Sequence, residues 1–280
     1  MKIAVMTDST AYIPADTREE LNIHMIPLSV VFGDTSYREE IDITTQQFYE
    51  KVRKADELPK TSQPSIGYIS EKLTELAKHY DAVISIHLSS GISGTMNAVA
   101  SAGEMVDDIA VHTYDSELSC AGQAFYVLEA VKMVEENKTP EEILKRFDEM
   151  KQHIRAYFMV DDLKNLQRGG RLNSAQAIVG SLLQVKPILH FVDKVIVPFE
   201  KIRTRKKALN RIVGMMEDDL EKGKSLKVVI IHANCQQAAE EWRNRISANH
   251  PGLDISIGYF GPVIGTHLGE GAIGMTWYVK

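Results

Sequence analysis

The chain is poor in cysteine. Its 280 residues include only Cys120 and Cys235, which lie far apart in the sequence and do not form a C-x-x-C motif. A disulfide framework or a zinc site built from cysteine needs more residues of this type at closer spacing. We therefore expect no metal site, and we expect both cysteines to pack as small apolar side chains.

Positive charge is also scarce. Lysine and arginine number 32 against 38 aspartate and glutamate residues, so the formal net charge is -6. Proteins that bind nucleic acids usually carry a basic surface that neutralises phosphates. A nucleic-acid partner is therefore not expected.

Long hydrophobic runs are missing as well. No apolar stretch approaches the length of a transmembrane helix, and the segment from Met1 to Asp8 becomes polar too early for a signal peptide. These features predict a cytoplasmic protein with at most peripheral contact to a membrane. Hydrophobic residues still make up 44% of the chain, which is ample for a large core.

Several catalytic motifs are absent. The stretch from Gly91 to Thr95 has threonine where the G-x-S-x-G nucleophile elbow requires its second glycine. The chain also lacks a dinucleotide-binding glycine motif, a Walker A lysine, an H-E-x-x-H motif and a calcium loop. A serine hydrolase is disfavoured, and no cofactor is expected.

Strands and helices alternate up to about residue 150, which predicts a doubly wound, mainly parallel sheet in an α/β, Rossmann-like domain covering residues 1–153. The second half has a different pattern, with a hairpin around Asp193 and further strands interleaved with helices. It predicts an α+β domain with an antiparallel sheet over residues 154–280. Because no linker rich in Pro, Gly or Ser separates the halves, we expect a closely packed pair with a cleft between them.

The stretch from Ser89 to Thr95 is the first candidate binding site. It follows a β-branched run from Ala82 to His87 and precedes a helical pattern that begins near Met96. Free backbone N–H groups at a helix N-terminus attract anions, and serine hydroxyls add donors. The alternative is an ordinary strand-to-helix turn with a serine cap.

A second polar segment, Lys60 to Ser65, precedes an amphipathic helix for which Ser65 is the expected cap. If this segment and the serine-rich loop lie at the same sheet edge, Thr61 and Ser93 can both donate hydrogen bonds to one anion. The alternative is that Thr61 is an ordinary loop residue.

Two basic segments and one glycine-rich segment complete the candidates. Arg168 and Arg171 flank a glycine pair, and Arg203 begins the most basic run of the chain. Such arginines are either solvated or pair with a carboxylate, a phosphate or an acidic partner. The segment from Gly261 to Gly271 holds His267, which either lies at the surface or binds an anion and transfers protons.

Taken together, these segments resemble the DegV family, whose FakB-type members are the fatty-acid-binding subunits of bacterial fatty acid kinase. The resemblance covers essentially the whole chain, and it is the order of the segments that makes it specific. The segments are Thr7-Asp8-Ser9-Thr10, Thr61-Ser62-Gln63-Pro64, Ser89-Ser90-Gly91-Ile92-Ser93-Gly94-Thr95, Leu166 to Leu172, Arg203-Thr204-Arg205-Lys206-Lys207-Ala208 and Gly265-Thr266-His267.

The resemblance implies two α/β domains that enclose a long-chain fatty acid in an apolar tunnel. It implies that Thr61 and Ser93 hold the carboxylate, with Ser62, Ser90 and Gly94 beside them. It also implies a partner, an ATP-dependent kinase subunit that converts the bound acid to an acyl phosphate for phospholipid synthesis. The residues expected to support the site or face that kinase are Arg171, Arg203, Arg205, Thr266 and His267.

Two other functions stay open at this point. A serine-dependent hydrolase or phosphotransferase would use Ser93 as nucleophile and His267 as base. A small-molecule sensor would bind the same ligand but change its protein partner without any phosphorylation.

Overall fold

The computed structural model describes residues 1–172 and 186–279. The first half of the chain contains, in order, β1 (Ile3–Asp8), α1 (Ala15–Glu20), β2 (Ile23–Ile26), β3 (Ser29–Phe32), β4 (Thr35–Arg38), α2 (Thr45–Lys54), β5 (Lys60–Ser62), α3 (Ile66–Ala77), β6 (Ala82–His87), α4 (Thr95–Gly103), β7 (Ala110–Asp115), α5 (Ala121–Glu135) and α6 (Pro140–Lys151). The described part of the second half contains β8 (Ile154–Met159), α7 (Lys164–Arg168), β9 (Ile188–Val192), β10 (Val195–Glu200), α8 (Arg205–Leu220), β11 (Leu226–His232), α9 (Gln236–Asn249), β12 (Asp254–Tyr259), α10 (Pro262–Leu268) and β13 (Ile273–Val279).

Four parallel strands form the central sheet of the first half, in the order β2-β1-β6-β7. Alternate residues of the buried strands face opposite sides, so Met6 packs with α3 and α4 while Val5 packs with α5. Helices therefore cover both faces, as the α/β pattern requires. The prediction of a doubly wound parallel sheet is confirmed.

The strands β3, β4 and β5 come between β2 and β6 in the sequence, and they form a small antiparallel sheet in the order β4-β3-β5. Gly33 and Asp34 make the turn between β3 and β4, and Gly33 has a φ of 57°, which a glycine adopts without strain. Strands β3 and β4 therefore form a hairpin. Thr61 lies in β5 and pairs with Val30 of β3, so it is not the ordinary loop residue of the alternative interpretation.

The second half forms a six-stranded sheet in the order β10-β9-β8-β13-β11-β12. Its neighbouring strands are antiparallel except for β11 and β12, which are parallel. Helices α8 and α9 cover one face through an apolar cluster that includes Ile212, Trp242 and Trp277. The predicted antiparallel sheet is thus confirmed, with one parallel pair added.

The two halves pack through the other face of this mixed sheet. Phe158 and Ile231 of the mixed sheet belong to the same apolar core as Leu28, Leu88 and Cys120, which follow strands of the parallel sheet. The carboxyl edge of the parallel sheet, where ligands gather in open α/β folds, therefore faces the mixed sheet. Among the residues that the structure describes, no helix is both long and apolar enough to span a membrane.

Candidate functional site

A cavity of about 280 Å³ lies between the two halves. Hydroxyl, amide, guanidinium and imidazole groups line one part of it, and aliphatic and aromatic side chains line the rest. Its polar lining includes Thr61, Ser62, Gln63, Ser93, Gly94, Arg171 and His267. Its apolar lining includes Leu28, Leu88, Ile92, Cys120, Phe158, Leu166, Phe191, Ile196, Ile231, Phe260, Val263, Ile264 and Leu268.

Thr61 and His267 meet across the cavity. The pairing of β5 with β3 places Thr61, and α10 carries His267, whose Nε2 lies 2.9 Å from Thr61 Oγ1. Burial, together with the nearby charge of Arg171, lowers the pKa of His267 to about 4. The imidazole is therefore neutral at pH 7, and it can donate or accept a hydrogen bond with a hydroxyl or a carboxyl group.

The other imidazole nitrogen, His267 Nδ1, is buried and has no hydrogen-bond partner within residues 1–172 and 186–279. Gly169 lies against it: a Cβ built on Gly169 would approach Nδ1 to 2.3 Å. The glycine pair after α7 thus lets the chain pass close to the ring. A larger residue at this position would displace His267 from the cavity.

The serine-rich loop brings Ser93 and Gly94 to the start of α4. Ser93 Oγ lies 2.9 Å from Thr95 Oγ1 and accepts a hydrogen bond from the Thr95 N–H at 3.3 Å. Gly94 is the N-cap of α4 and packs against Gln63, since a Cβ there would lie 2.3 Å from Gln63 Oε1. Ser93 and Gly94 therefore present donors at a helix N-terminus, as an anion site requires.

Ser90 points elsewhere, although it belongs to the same loop. Its hydroxyl donates to Asp115 Oδ2 at 2.5 Å, and Lys194 Nζ lies 3.0 Å from the same oxygen. Ser89 donates to the carbonyl oxygen of Lys194 at 2.6 Å. The turn between β9 and β10 is thus fastened to the serine-rich loop, and this closes one side of the cavity.

Arg171 connects the end of α7 to the serine-rich loop. It is half-buried, and its Nε donates to the carbonyl oxygen of Ile92 at 3.1 Å. Burial lowers the pKa of this guanidinium below its usual range, but arginine stays charged at neutral pH. Arg171 therefore gives the polar end of the cavity a fixed positive charge.

Glu39 fixes the position of α10 from the opposite side. This fully buried carboxyl group accepts hydrogen bonds from the Val263 N–H at 2.7 Å and from the Tyr12 hydroxyl at 2.8 Å. The Ile264 N–H donates in turn to Tyr12 at 3.2 Å. Two free N–H groups at the start of the helix are satisfied in this way, so the helix is held against the first half of the chain.

A second buried array lies beneath the serine-rich loop. His87 Nδ1 lies 3.0 Å from Asp8 Oδ2, and its Nε2 lies 2.6 Å from Ser85 Oγ. The order of groups is that of a hydrolase triad, but all three side chains have no solvent exposure. No substrate can reach Ser85, so the array holds β1 and β6 together. Sequence reasoning missed it because its members are spread over two strands.

The remaining predicted residues do not line the cavity. Arg203 is exposed before α8, and Arg205 donates to the carbonyl oxygen of Gly271 at 2.9 Å. Thr266 donates to the carbonyl oxygen of Pro262 within its own helix. Of the predicted carboxylate-binding residues, Thr61, Ser62, Ser93 and Gly94 line the cavity and Ser90 does not.

The donors in the cavity suit an uncharged or anionic oxygen group. In the part of the chain that is described, no group of three or more His, Cys, Asp or Glu side chains is placed to hold a metal ion. Hydroxyls, a helix N-terminus and Arg171 favour a carboxylate at this position. His267 Nε2 contacts Thr61, while Ser93 contacts Thr95, so the two residues of the hydrolase hypothesis have other partners here.

Comparison with known proteins gives a family and a set of structures. A family model described as "Uncharacterised protein, DegV family" matches residues 2–280. Protein DegV of Bacillus subtilis is 57% identical over 281 residues, and the match covers 100% of both chains.

Two solved structures are also similar. The crystal structure of DegV, a fatty acid binding protein from Bacillus subtilis, has a TM-score of 0.95 at 57% identity, with 100% of both chains covered. The structure of a fatty acid binding DegV family protein from Streptococcus agalactiae has a TM-score of 0.92 at 32% identity, covering 100% of this chain and 99% of that one.

Proposed function

This chain belongs to the DegV family, and from that premise we propose that it binds a long-chain fatty acid in the cavity between its two halves. The observation that carries the proposal is the composition of the cavity, with hydrogen-bond donors at one end and apolar side chains along the rest. A fatty acid is divided in the same way, into a carboxylate that accepts hydrogen bonds and an apolar tail. Relatives whose structures are described as fatty-acid-binding give further support.

The carboxylate is held, in this proposal, by Thr61 and Ser93, with Ser62 and Gly94 beside them. Thr61 donates its hydroxyl, and the N-terminus of α4 adds N–H groups near Ser93. A carboxylate buried without such partners would be costly. Ser90, which is bound to Asp115, contributes by holding the loop in place.

The tail supplies most of the affinity. A saturated C16 chain has about 15 methylene and methyl groups, and each contributes about 0.8 kcal/mol when it leaves water. Roughly 10 kcal/mol of transfer free energy is therefore available before the costs of association. The head group determines the orientation of the acid, and the apolar lining determines how tightly it is held.

Native mass spectrometry of protein purified from lipid-replete cells tests this proposal. We expect one fatty acid for each protein molecule, which denaturing extraction releases and identifies. A protein that carries no acid, and that binds none when palmitate is added, would contradict it.

We also propose that the bound acid is presented to an ATP-dependent kinase subunit, which phosphorylates the carboxylate to an acyl phosphate for phospholipid synthesis. Thr61 and Ser93 lie near His267 and Arg171, which can stabilise a growing negative charge. Arg203 is exposed and suits contact with a partner, while Arg205 supports the adjoining loop. The protein has no turnover of its own in this proposal, which places the encounter in the cytoplasm, where ATP is available.

Substitution of an exposed arginine tests the role of the partner. Arg203→Ala is expected to slow phosphorylation of the bound acid by the kinase and to leave fatty-acid affinity unchanged. Arg245→Ala, an exposed arginine on α9, is the matched control and should change neither quantity. Equal kinase rates for Arg203→Ala and the wild type would remove Arg203 from the interface.

The domain division belongs to the same proposal. The parallel sheet and its helices end with α6 at Lys151, and the mixed sheet begins at Ile154. We propose domains of residues 1–153 and 154–280, with the acid enclosed between them.

A further inference from the structure

A second cavity, of about 260 Å³, lies beside the first on the same seam between the two halves. Helix α5 and the segment before α1 form one wall, and strands β11 and β12 form the other. Its lining is mostly apolar and includes Tyr12, Ile13, Pro14, Ala124, Phe125, Leu128, Val229, Ile257 and Tyr259. Ser256 is exposed at its edge.

The two cavities share a partition. Cys120 and Phe260 line the first cavity, while their chain neighbours Ala121 and Tyr259 line the second. Ile231 lines both, and its side chain is almost completely buried. The side chain of Ile231 therefore forms a wall that the two cavities share.

The sheet register explains why the Ile231 side chain projects between the two cavities. Ile231 of β11 pairs with Gly274 of β13 on one side and with Gly258 of β12 on the other. Paired residues of neighbouring strands project from the same face of a sheet. Ile231 is thus the only side chain in the row that these three strands form, and the glycines on each side of it line the first and the second cavity.

Gly258 has space above it. A Cβ built on Gly258 would have only Val229 Cγ1 within 4 Å, at an ordinary contact distance of 3.5 Å. Backbone packing therefore does not require a glycine here. Its small size leaves a groove that runs from Ile231 into the second cavity.

We propose that Ile231 ends the channel for the acyl tail and so sets the longest fatty acid that the protein binds well, and that the second cavity is the continuation of this channel. The inference rests on the proposed function, because it assigns the apolar end of the same site. A shorter side chain at position 231 joins the two cavities along the row of glycines. Longer saturated acids then bury additional methylene groups in apolar surroundings, at about fourfold in affinity for each group.

Competition binding with a series of saturated C14 to C22 acids tests the inference on the full chain. The measured quantity is the ratio of the affinity for the C20 acid to that for the C16 acid. In Ile231→Ala we expect this ratio to rise at least tenfold above the wild-type value. The ratio compares two ligands of the same protein. A general loss of protein stability therefore does not raise this ratio.

Three further variants keep the test specific. Val229→Ala enlarges the second cavity without opening the wall, since Val229 lines only that cavity, and it should leave the ratio unchanged. Ile231→Val, a milder truncation, should give a smaller rise in the same direction. Adding Ala124→Phe to Ile231→Ala refills the second cavity and should return the ratio toward the wild-type value.

The outcomes separate the two proposals. A ratio in Ile231→Ala equal to that of the wild type, with normal binding of the C16 acid by the wild type, overturns the inference alone. An equal rise in Val229→Ala also overturns it, because the wall is intact in that variant. A wild-type protein that binds no fatty acid overturns the proposed function and this inference with it.

Discussion

Thr61 Oγ1 lies 2.9 Å from His267 Nε2, and this contact joins β5 of the first half to α10 of the second half. The two groups are 206 residues apart in sequence and line the polar end of one cavity. A ligand carboxylate placed there would meet a hydroxyl from one half and an imidazole from the other. The contact therefore makes ligand binding dependent on the relative position of the two halves.

The hydroxyl of Thr61 is the first group to test. Thr61→Val preserves the shape of the side chain and removes its hydrogen bond, so palmitate affinity should fall by about 1–3 kcal/mol. Thr266→Val is the matched control, because Thr266 donates within α10 and does not line the cavity. Calorimetric titration measures both variants, and equal affinity in Thr61→Val and the wild type would remove Thr61 from the head-group site.

Ligand binding should also change the protonation of His267. Its pKa is lowered to about 4, so the ring is neutral at pH 6. A bound carboxylate favours the protonated ring and raises that pKa, so binding near pH 5 to 6 should take up a proton. Titration calorimetry in buffers of different ionisation enthalpy measures the uptake.

The control for that experiment is His267→Gln, which cannot titrate. The fatty acid has its own carboxyl pKa, and the difference between the wild type and the variant isolates the contribution of the ring. The same proton uptake in both proteins would show that His267 does not respond to the ligand.

Glu39 should make stability depend on pH. Burial raises its pKa to about 8 from an ordinary value of 4.5, so between these two pH values the folded protein binds a proton that the unfolded chain has lost. The contribution of Glu39 to stability is complete below pH 4.5 and is lost as pH rises toward 8, at no more than about 1.4 kcal/mol per pH unit. Glu39→Gln keeps the acceptor for the Val263 N–H and does not titrate.

Urea unfolding of the wild type and of Glu39→Gln at several pH values measures this contribution. We expect the wild type to lose stability relative to the variant as pH rises from 5 to 8. Above pH 8 the difference in stability between the two proteins should stay constant. A constant difference between the two proteins over this range would mean that Glu39 is ionised throughout.

Two substitutions at the connection between the serine-rich loop and the β9–β10 turn should destabilise the fold to different extents. Burial alone raises the pKa of Asp115, but hydrogen bonds from Ser90 and Lys194 outweigh it and hold that pKa below its ordinary value. Lys194→Met removes a partly exposed ion pair and should cost at most about 1 kcal/mol of folding free energy.

Asp115→Ala should cost more, about 1–3 kcal/mol, because the carboxylate also accepts hydrogen bonds from the N–H groups of Ser90 and Glu117. Chemical denaturation of both variants compares the two costs. A larger loss in Lys194→Met than in Asp115→Ala would contradict this order.

A side chain at Gly94 should change the polar end of the cavity. The Cβ of Gly94→Ala would lie 2.3 Å from Gln63 Oε1, so the exposed Gln63 side chain must swing away from the start of α4. Because Gly94 and Gln63 both line the cavity, we expect fatty-acid affinity to fall. Gly67→Ala in α3 is the control, because nothing lies within 4 Å of its new Cβ, and it should bind normally with equal or higher stability. Binding by Gly94→Ala as tight as by Gly67→Ala would contradict this assignment.

The sequence predicts the sheets better than it predicts the site. The buried strands β1 and β6 are continuous apolar runs followed by polar loops, which is typical of a parallel sheet, and the prediction is confirmed. Strand β8 was missed because its burial does not alternate: Arg155, Ala156 and Tyr157 are all partly exposed. Strand β5 has three polar residues and exists through its pairing with β3.

The composition of the cavity required tertiary information. Motifs identified Thr61, Ser93 and His267, but no local pattern shows that Thr61 meets His267 across 206 residues. Ser90 belongs to the same motif as Ser93 and bonds Asp115 instead, a direction set by strand β7. Glu39 carries no sequence signal either, because a single glutamate after a short strand is normally exposed.

A crystal structure of the protein with bound palmitate is the most direct test of the central claim. We expect one carboxylate oxygen within hydrogen-bonding distance of Thr61 Oγ1, the other beside Ser93 and the N-terminus of α4, and the tail directed toward Ile231. An acid bound in the reverse orientation, or bound outside this cavity, would contradict the account.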